Sequence, residues 1–211
     1  MKLNTNSNVY IIVYAAVMVV IVAFLLAFVS KALQAKSDAN VEIDKKSQIL
    51  ASLNMRSIDK DQVEAKYAEV VVKEDADAQL PIYTCNVDGK TKYVVPLSGM
   101  GLWGGLWGYL AINEDGTTVY GAYFSHQSET AGLGALIADQ PFQDQFKGKE
   151  IFNPDGSVAL SVVKVGKKVE GLDPASRCDA VTGATLTSDG VDNMLKTCLG
   201  KYGKEFFTNA K

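Results

Sequence analysis

The fold is decided by one stretch of the sequence, Ile82-Tyr-Thr-Cys-Asn-Val-Asp-Gly-Lys-Thr-Lys-Tyr-Val-Val95. Its short alternating segments, Ile82 to Val87 and Thr91 to Val95, flank Asp88-Gly89, a dipeptide that favours a two-residue hairpin turn. Because such a turn joins neighbouring antiparallel strands, the stretch predicts a β-hairpin.

Two further hairpins are predicted downstream. Leu110 to Asn113 and Thr117 to Phe124 flank the turn residues Glu114-Asp115-Gly116, and Asn153-Pro154-Asp155-Gly156 precedes a strand from Val158 to Val165. Together these strands predict an α+β domain with mostly antiparallel sheet and flanking helices.

Three helices are expected around the strands. The first extends from about Ala39 to Asn54, where apolar residues recur at helical spacing. The second begins near Asp59, with Gln62 at the capping-box position and apolar residues following the helical period. The third runs from about Ser188 to Tyr202. Its apolar face is formed by Val191, Leu195, Cys198 and Tyr202.

An uncharged run of 21 apolar residues, Val9 to Val29, precedes these elements. It is long enough to cross a bilayer as a helix. A cleaved signal peptide would have a shorter apolar core behind a basic head, so an uncleaved anchor is favoured. Lys2 lies before the run, and Lys31 and Lys36 follow it, so the count of positive charges does not decide the orientation.

The rest of the chain has the composition of a packed domain. Apolar residues make up 47% of the full sequence, and about 42% of the part after Val29. That part has 20 basic and 24 acidic residues, a net charge of −4, so nucleic acid is not an expected partner. Composition excludes a cytosolic soluble enzyme, a polytopic transporter, a collagen-like fibre and a disulfide-stapled miniprotein. The expected layout is a head at 1–8, an anchor at 9–29, a helical connecting region at 30–75 and a folded domain at 76–211.

The first candidate site is the Gly/Trp segment, Ser98-Gly-Met-Gly-Leu-Trp-Gly-Gly-Leu-Trp-Gly-Tyr109, with five glycines and two tryptophans. Glycine allows close backbone approach and indole rings provide flat apolar walls, so the segment is suited to a planar ligand. A tightly turned core segment would explain the same residues equally well. A phosphate loop is excluded because its Lys-Ser/Thr ending is missing.

The second candidate is Ser125-His-Gln-Ser-Glu-Thr-Ala-Gly-Leu-Gly-Ala135, which contains the only histidine of the chain. A metal site is not expected, because no cysteine or carboxylate cluster lies nearby at ligand spacing. General acid or base chemistry by His126 or Glu129 stays open, although a hydrogen-bonded structural role is favoured for His126. The turn at Gly132 and Gly134 predicts a loop that enters a helix, where free N–H groups can meet a ligand oxygen.

The third candidate is Cys178-Asp-Ala-Val-Thr-Gly-Ala-Thr-Leu-Thr-Ser-Asp189, directly before the last helix. Small hydroxyl residues and a glycine at a helix N-terminus form a favourable site for an anion such as phosphate. The alternative is simple N-capping of the helix by Thr187 or Ser188.

Asp179-Ala-Val-Thr-Gly-Ala-Thr185 matches the signature Asp-x-x-Ser/Thr-Gly-Ala-Thr, at which a flavin transferase attaches FMN through its phosphate to the final threonine. With the other two segments and the anchor in the same order, the sequence resembles, over nearly its whole length, the NqrC family, the membrane-anchored flavin subunits of the Na⁺-translocating NADH:quinone oxidoreductase. The RnfG proteins of the Rnf electron-transfer complex are a related family. One departure is Ala131, where the family commonly has proline, which loses turn rigidity but no ligand group.

The resemblance implies a flavoprotein whose domain at 76–211 binds FMN, with Thr185 as the covalent attachment point. Asp179, Thr182, Gly183 and Ala184 would be recognised by the transferase or lie beside the phosphate. The flavin ring would lie near Glu129, Thr130, Gly132, Leu133, Gly134, Trp103 and Trp107. No catalytic residue and no metal ligand is implied, because the flavin performs the redox chemistry.

The resemblance also implies a location and partners. The chain would be a single-pass protein of the cell inner membrane, with a cytoplasmic N-terminus and the flavin domain on the periplasmic side. It would relay electrons from a membrane iron centre to another flavoprotein of the Nqr complex, which couples NADH oxidation and ubiquinone reduction to Na⁺ translocation. No NADH-binding fingerprint is present in this sequence, so NADH would be oxidised by a partner protein of the complex. An RnfG-type electron-transfer protein and a non-redox, membrane-tethered envelope module are the alternatives.

The three cysteines have no spacing that supports cluster ligation. In an oxidising periplasm, a disulfide between Cys178 and Cys198 is one alternative. Cys198 also fits as a small buried residue of the last helix, and Cys85 as an inert residue of a strand.

Overall fold

The computed structural model describes residues 7–76 and 78–209. Its first element is a single long helix, α1 (Asn8–Ser52). Side chains from Ile11 to Glu42 are exposed, and α1 is long and apolar enough to cross a membrane. The helix predicted from Ala39 is the C-terminal part of α1 and not a separate element. The chain forms two compact units, which meet in sequence between Asp44 and Lys45.

Five antiparallel strands form the main sheet in the order β1-β2-β3-β4-β5. Their bounds are β1 Val71–Asp75, β2 Ile82–Val87, β3 Lys90–Met100, β4 Gly105–Asn113 and β5 Val119–His126. Asp88 and Gly89 have φ angles of 52° and 75°, the left-handed conformation that a type I′ hairpin turn requires. The first two predicted hairpins and the mostly antiparallel α+β class are thus confirmed.

Strands β3 and β4 are longer than predicted and pair from Lys92 opposite Asn113 to Met100 opposite Gly105. The Gly/Trp segment is therefore the tip of this hairpin. The N–H of Gly101 donates to the carbonyl of Gly104 at 2.8 Å and closes the tip.

The third predicted hairpin is reduced to a single antiparallel bridge between Phe152 and Val158. The strand that follows is short, β6 (Ser161–Val163), and it pairs in parallel with β7 (Arg177–Asp179). The N–H of Val162 donates to Asp192 Oδ1 at 2.9 Å, so a helix side chain takes a hydrogen bond that a hairpin partner would otherwise form. The prediction was wrong in the pairing of this strand.

Helices cover both faces of the sheet within the second unit. The end of α1 and helix α2 (Lys60–Val70), which begins after Asp59 as predicted, pack on one face. Helix α4 (Thr185–Asn209) packs on the other, against β3, and buries the predicted apolar face. It begins three residues earlier than predicted and has a kink at Gly203. The short helices are α3 (Gln140–Gln143) and the 3-10 turns Gly134–Ala138, Asp144–Phe146 and Pro174–Ser176.

Candidate functional site

Thr185 is the first residue of α4, and its side chain is exposed. The first hydrogen bond into the helix runs from the N–H of Ser188 to the carbonyl of Ala184, at 3.0 Å. Within the described part of the chain, the N–H groups of residues 185–187 have no acceptor, as is usual for a first helical turn. An anion at Thr185 would therefore meet unpaired donors and the positive end of the helix dipole.

The residues before Thr185 form a tight turn. Gly183 has a φ of 83°, a left-handed conformation that glycine adopts without strain. The N–H of Val181 donates to Ser188 Oγ at 3.1 Å, and the N–H of Ala184 donates to the carbonyl of Val181 at 3.1 Å. Thr182 and Gly183 are exposed, whereas Ala184 is buried. The turn thus directs the signature threonine towards solvent.

Glu129 joins the three candidate segments. Its Oε1 accepts the N–H of Trp103 at 2.8 Å, and its Oε2 accepts the hydroxyl of Thr187 at 2.5 Å. Its own N–H donates to His126 Nδ1 at 3.2 Å, in keeping with the structural role favoured for that histidine. Segments that the sequence presents separately therefore meet around one carboxylate, which is only 7% exposed.

Burial of Glu129 would raise its pKa, but hydrogen bonds from Thr187, Trp103 and Gly104 favour the ionised form more strongly. The pKa of Glu129 therefore lies below the ordinary glutamate value, and the carboxylate is charged at neutral pH. No lysine or arginine of the described chain pairs with it. The charge is instead balanced by hydrogen bonds and by its position at the N-terminus of α4.

Thr187 and Ser188 do not cap α4, because the helix has already begun at Thr185. The capping prediction was wrong for both residues. Thr187 is buried and donates to Glu129, and Ser188 is buried and closes the preceding turn.

The glycines at this junction allow protein segments to approach each other. A Cβ atom on Gly101 would lie 2.5 Å from Glu129 Oε1, and one on Gly134 would lie 2.5 Å from Thr187 Oγ1. Both distances are too short for any side chain. In the Gly/Trp segment, Gly101 thus serves close packing, as the core alternative predicted.

Exposed apolar side chains surround the junction and form a surface that we call the apolar rim. Its members are 43% to 67% exposed: Leu102, Trp103, Leu133 and Leu186. Leu133 lies against Gly183, since a Cβ atom there would be 3.0 Å from Leu133 Cδ2. Leu102 and Leu186 were not singled out from the sequence, although each lies within a candidate segment. An apolar surface beside a hydroxyl and free N–H groups suits a planar ligand that carries a phosphate.

Trp107 is not brought to this junction. It follows Leu106, whose side chain belongs to the core under α4, so alternation along β4 directs Trp107 to the other face of the sheet. There its indole N–H donates to Gln48 Oε1 at 3.2 Å.

The remaining predicted residues lie in turns near the junction. The carbonyl of Thr130 accepts the N–H groups of Leu133 and Ala135, both at 3.1 Å, and Gly132 has a φ of 72°. This turn leads into the 3-10 helix from Gly134, so the predicted loop-to-helix transition is confirmed.

Asp179, at the other end of the signature, is exposed at the end of β7. Its carboxylate lies 3.3 Å from Arg177 Nη2, and its N–H donates to Gln145 Oε1 at 2.8 Å. The side chain of Gln145 thus fixes the backbone at the start of the signature. Sequence reasoning gave no indication of this residue.

All three cysteines are buried free thiols. Cys178 Sγ donates to the carbonyl of Gln145 and Cys198 Sγ to that of Ser98, so the disulfide alternative is wrong: the two residues lie in separate environments. Burial raises the pKa of Cys85 and of Cys178 to about 12. Within residues 7–76 and 78–209, no cluster of three His, Cys, Asp or Glu residues is suited to a metal ion.

Residues 101–200 match the model of the FMN-binding domain family. Similar proteins include the C subunit of the Na⁺-translocating NADH-quinone reductase of Haemophilus ducreyi, 40% identical over 139 residues, and that of Pasteurella multocida, 38% identical over 142 residues. These regions cover 66% and 67% of this chain, and 49% of each relative. The chain thus spans about half the length of the curated relatives it matches.

The fold is also similar to a crystal structure of the C subunit of the Na⁺-translocating NADH-quinone reductase from Parabacteroides distasonis. The two share 38% sequence identity with a TM-score of 0.75, over 85% of this chain and 98% of that one. Because identity at this level extends over nearly all of a solved relative, this chain belongs to the NqrC family, the C subunits of the Na⁺-translocating NADH-quinone reductase.

Proposed function

We propose that the chain carries FMN as a phosphoester on Thr185 and relays electrons within a Na⁺-translocating NADH:quinone reductase. The observation that carries the proposal is the position of Thr185. It is the last residue of the signature, the first of α4, and exposed beside free N–H groups and the apolar rim. The free N–H groups at the start of α4 suit a phosphate, and the apolar rim suits a flavin ring.

Attachment requires an activated flavin, because a hydroxyl does not displace a free phosphate oxygen. The donor is a flavin dinucleotide, in which the FMN phosphate forms a phosphoanhydride, and a flavin transferase brings it to the chain. The Thr185 Oγ–P bond forms, the anhydride P–O bond breaks, the nucleoside monophosphate leaves, and the hydroxyl proton passes to a base of the transferase. The flavin changes no oxidation state in this step.

The other residues of the signature prepare Thr185 for this reaction. Gly183 allows the left-handed turn, and Ala184, which is buried, fixes the base of the helix. Exposed Asp179 and Thr182 offer the transferase recognition groups on either side of the turn.

The apolar rim would hold the flavin ring. Trp103 and Leu133 provide apolar contacts, and the backbone of Thr130, Gly132 and Gly134 shapes the edge of the pocket. Glu129 supports the pocket from beneath, whereas Trp107 lies on the opposite face of the sheet and does not line the pocket. When bound, FMN supplies the one- and two-electron chemistry of the relay.

The membrane and the partner proteins complete the function. Residues 9–29 anchor the chain, the head at 1–8 faces the cytoplasm, and the domain at 76–211 holds the flavin on the periplasmic side of the cell inner membrane. The other subunits of the complex oxidise NADH, reduce the quinone and move Na⁺. Family membership and the apolar helix support this arrangement.

The proposal is tested by expressing the full chain with a flavin transferase. A fluorescent band under ultraviolet light in a denaturing gel, and an FMN mass increment on the peptide that contains Thr185, are expected for the wild type. Thr185→Val should lose both, Thr185→Ser should keep them, and Thr197→Val, at an exposed threonine outside the signature, serves as the matched control that retains flavin. An increment on another hydroxyl would overturn the assignment. A wild-type chain without flavin would favour an envelope module.

A further inference from the structure

We infer that Glu129 and Thr187 are positioning residues, whose hydrogen bond holds the first turn of α4, and with it Thr185, against the tip of the β3–β4 hairpin. The inference rests on the proposed attachment of FMN to Thr185. It assigns Glu129 to the support of the flavin-bearing turn and not to contact with the flavin.

The side chain of Glu129 is buried, and its hydrogen bonds are made to other parts of the protein. Both carboxylate oxygens already accept hydrogen bonds, one from Trp103 and one from Thr187, which are 26 and 58 residues away in sequence. Gly101 and Gly134 enclose the carboxylate, because a Cβ atom on either would lie within 2.7 Å of one of its oxygens. The side chain therefore connects two distant segments through a closely packed, buried contact.

The chemistry of the two donors explains why a glutamate is present. Trp103 offers a backbone N–H and Thr187 a hydroxyl hydrogen, so the connecting group needs two acceptor atoms. A carboxylate has two acceptor oxygens, whereas an amide has one oxygen and one donor nitrogen. Hydrogen bonds to an ionised group are also shorter and stronger than neutral ones, which fits the 2.5 Å contact with Thr187.

The contact acts on Thr185 through the helix. Thr185 and Thr187 lie in the same turn, and the N–H groups of this turn have no acceptor within the described chain. A first turn without backbone hydrogen bonds at its start frays readily unless a side chain holds it. Thr187 provides that side chain. Removing the Thr187 hydroxyl therefore leaves the hydroxyl of Thr185 intact but no longer fixes the position of Thr185.

The mobility of the attached flavin tests this role. We would co-express the full chain with a flavin transferase, purify it in detergent, and measure the fluorescence anisotropy of the covalent flavin before and after denaturation. Thr187→Val should still carry flavin, but should lose at least half of the anisotropy difference between folded and denatured protein. Thr187→Ser, which keeps the hydroxyl, should match the wild type. Thr197→Val, an exposed threonine of the same helix, is the matched control and should also match it.

Coupling between the two residues provides the second test. Glu129→Ala should lower the anisotropy as Thr187→Val does, and the double variant should be no worse than either single one. Unchanged anisotropy in Thr187→Val, or losses that add fully in the double variant, would overturn the inference while leaving the proposed function intact. Absence of flavin from the wild type would instead overturn the proposed function, and this inference with it.

Discussion

Alanine substitutions at two glycines of α4, Gly190 and Gly200, should change the free energy of unfolding in opposite directions. A Cβ atom on Gly190 would lie 2.4 Å from the carbonyl oxygen of Met100 and 3.2 Å from the Cα of Gly101, whereas one on Gly200 would meet no atom within 4 Å. Alanine is favoured over glycine inside a helix by about 1 kcal/mol. Gly200→Ala should therefore raise the free energy of unfolding by about 1 kcal/mol, and the melting temperature by about 2–4 °C.

At Gly190 the same preference is outweighed by overpacking. The neighbouring atoms are backbone and cannot rotate away, so the cost lies near the upper end of the usual range, about 3 kcal/mol. After the helical preference is subtracted, Gly190→Ala should lower the free energy of unfolding by about 2 kcal/mol. Thermal unfolding of the full chain in detergent, followed by near-ultraviolet circular dichroism, measures both variants. A Gly190→Ala chain as stable as the wild type would refute the close approach of α4 to the Gly/Trp segment.

Three further outcomes are expected. The pKa of Glu129 in the folded protein is lowered, so its contribution to stability is complete above the ordinary value of 4.5 and is lost as pH falls through the folded pKa. Glu129→Gln should therefore make the stability of the protein less dependent on pH in that acid range, as acid denaturation curves will measure. Arg56→Ala removes a 2.6 Å hydrogen bond to Gln143, and should lower the free energy of unfolding by about 1.5–3 kcal/mol in urea titrations. Trp103→Phe should abolish quenching of tryptophan emission by flavin, whereas Trp107→Phe should retain it, as emission spectra of flavinylated and flavin-free protein will reveal.

Local signals account for the parts of the fold that were predicted from sequence. The Asp88-Gly89 turn requires left-handed φ angles that few dipeptides adopt, so its position and pairing could be read directly. Strand β1 was missed because three of its five side chains are exposed, and an edge strand without a buried face gives no alternating pattern. The β6–β7 pair was missed because its strands are three residues long and pair across a distant connection.

In the candidate site, too, features with a local sequence signal could be predicted and long-range contacts could not. The attachment of FMN to Thr185 stays a prediction, which could be made from sequence because the signature is contiguous and a helix was expected close behind it. The contact between Glu129 and Thr187 spans 58 residues, and no local pattern specifies it. The Gly/Trp segment is intermediate, since its glycines correctly indicated close backbone approach but did not reveal that Glu129 is the group approached.

The two tryptophans illustrate why the register had to be known before either could be assigned. In sequence, Trp103 and Trp107 occupy equivalent places among glycines. The turn closed by Gly101 and Gly104 removes Trp103 from the sheet and exposes its ring, while β4 begins at Gly105 and directs Trp107 away from α4. A shift of one residue in the pairing of β4 would direct Trp107 towards α4 instead, because successive side chains of a strand point to opposite faces. The composition of the segment therefore predicts an indole beside the junction, but only the pairing of β3 with β4 determines that this indole is Trp103.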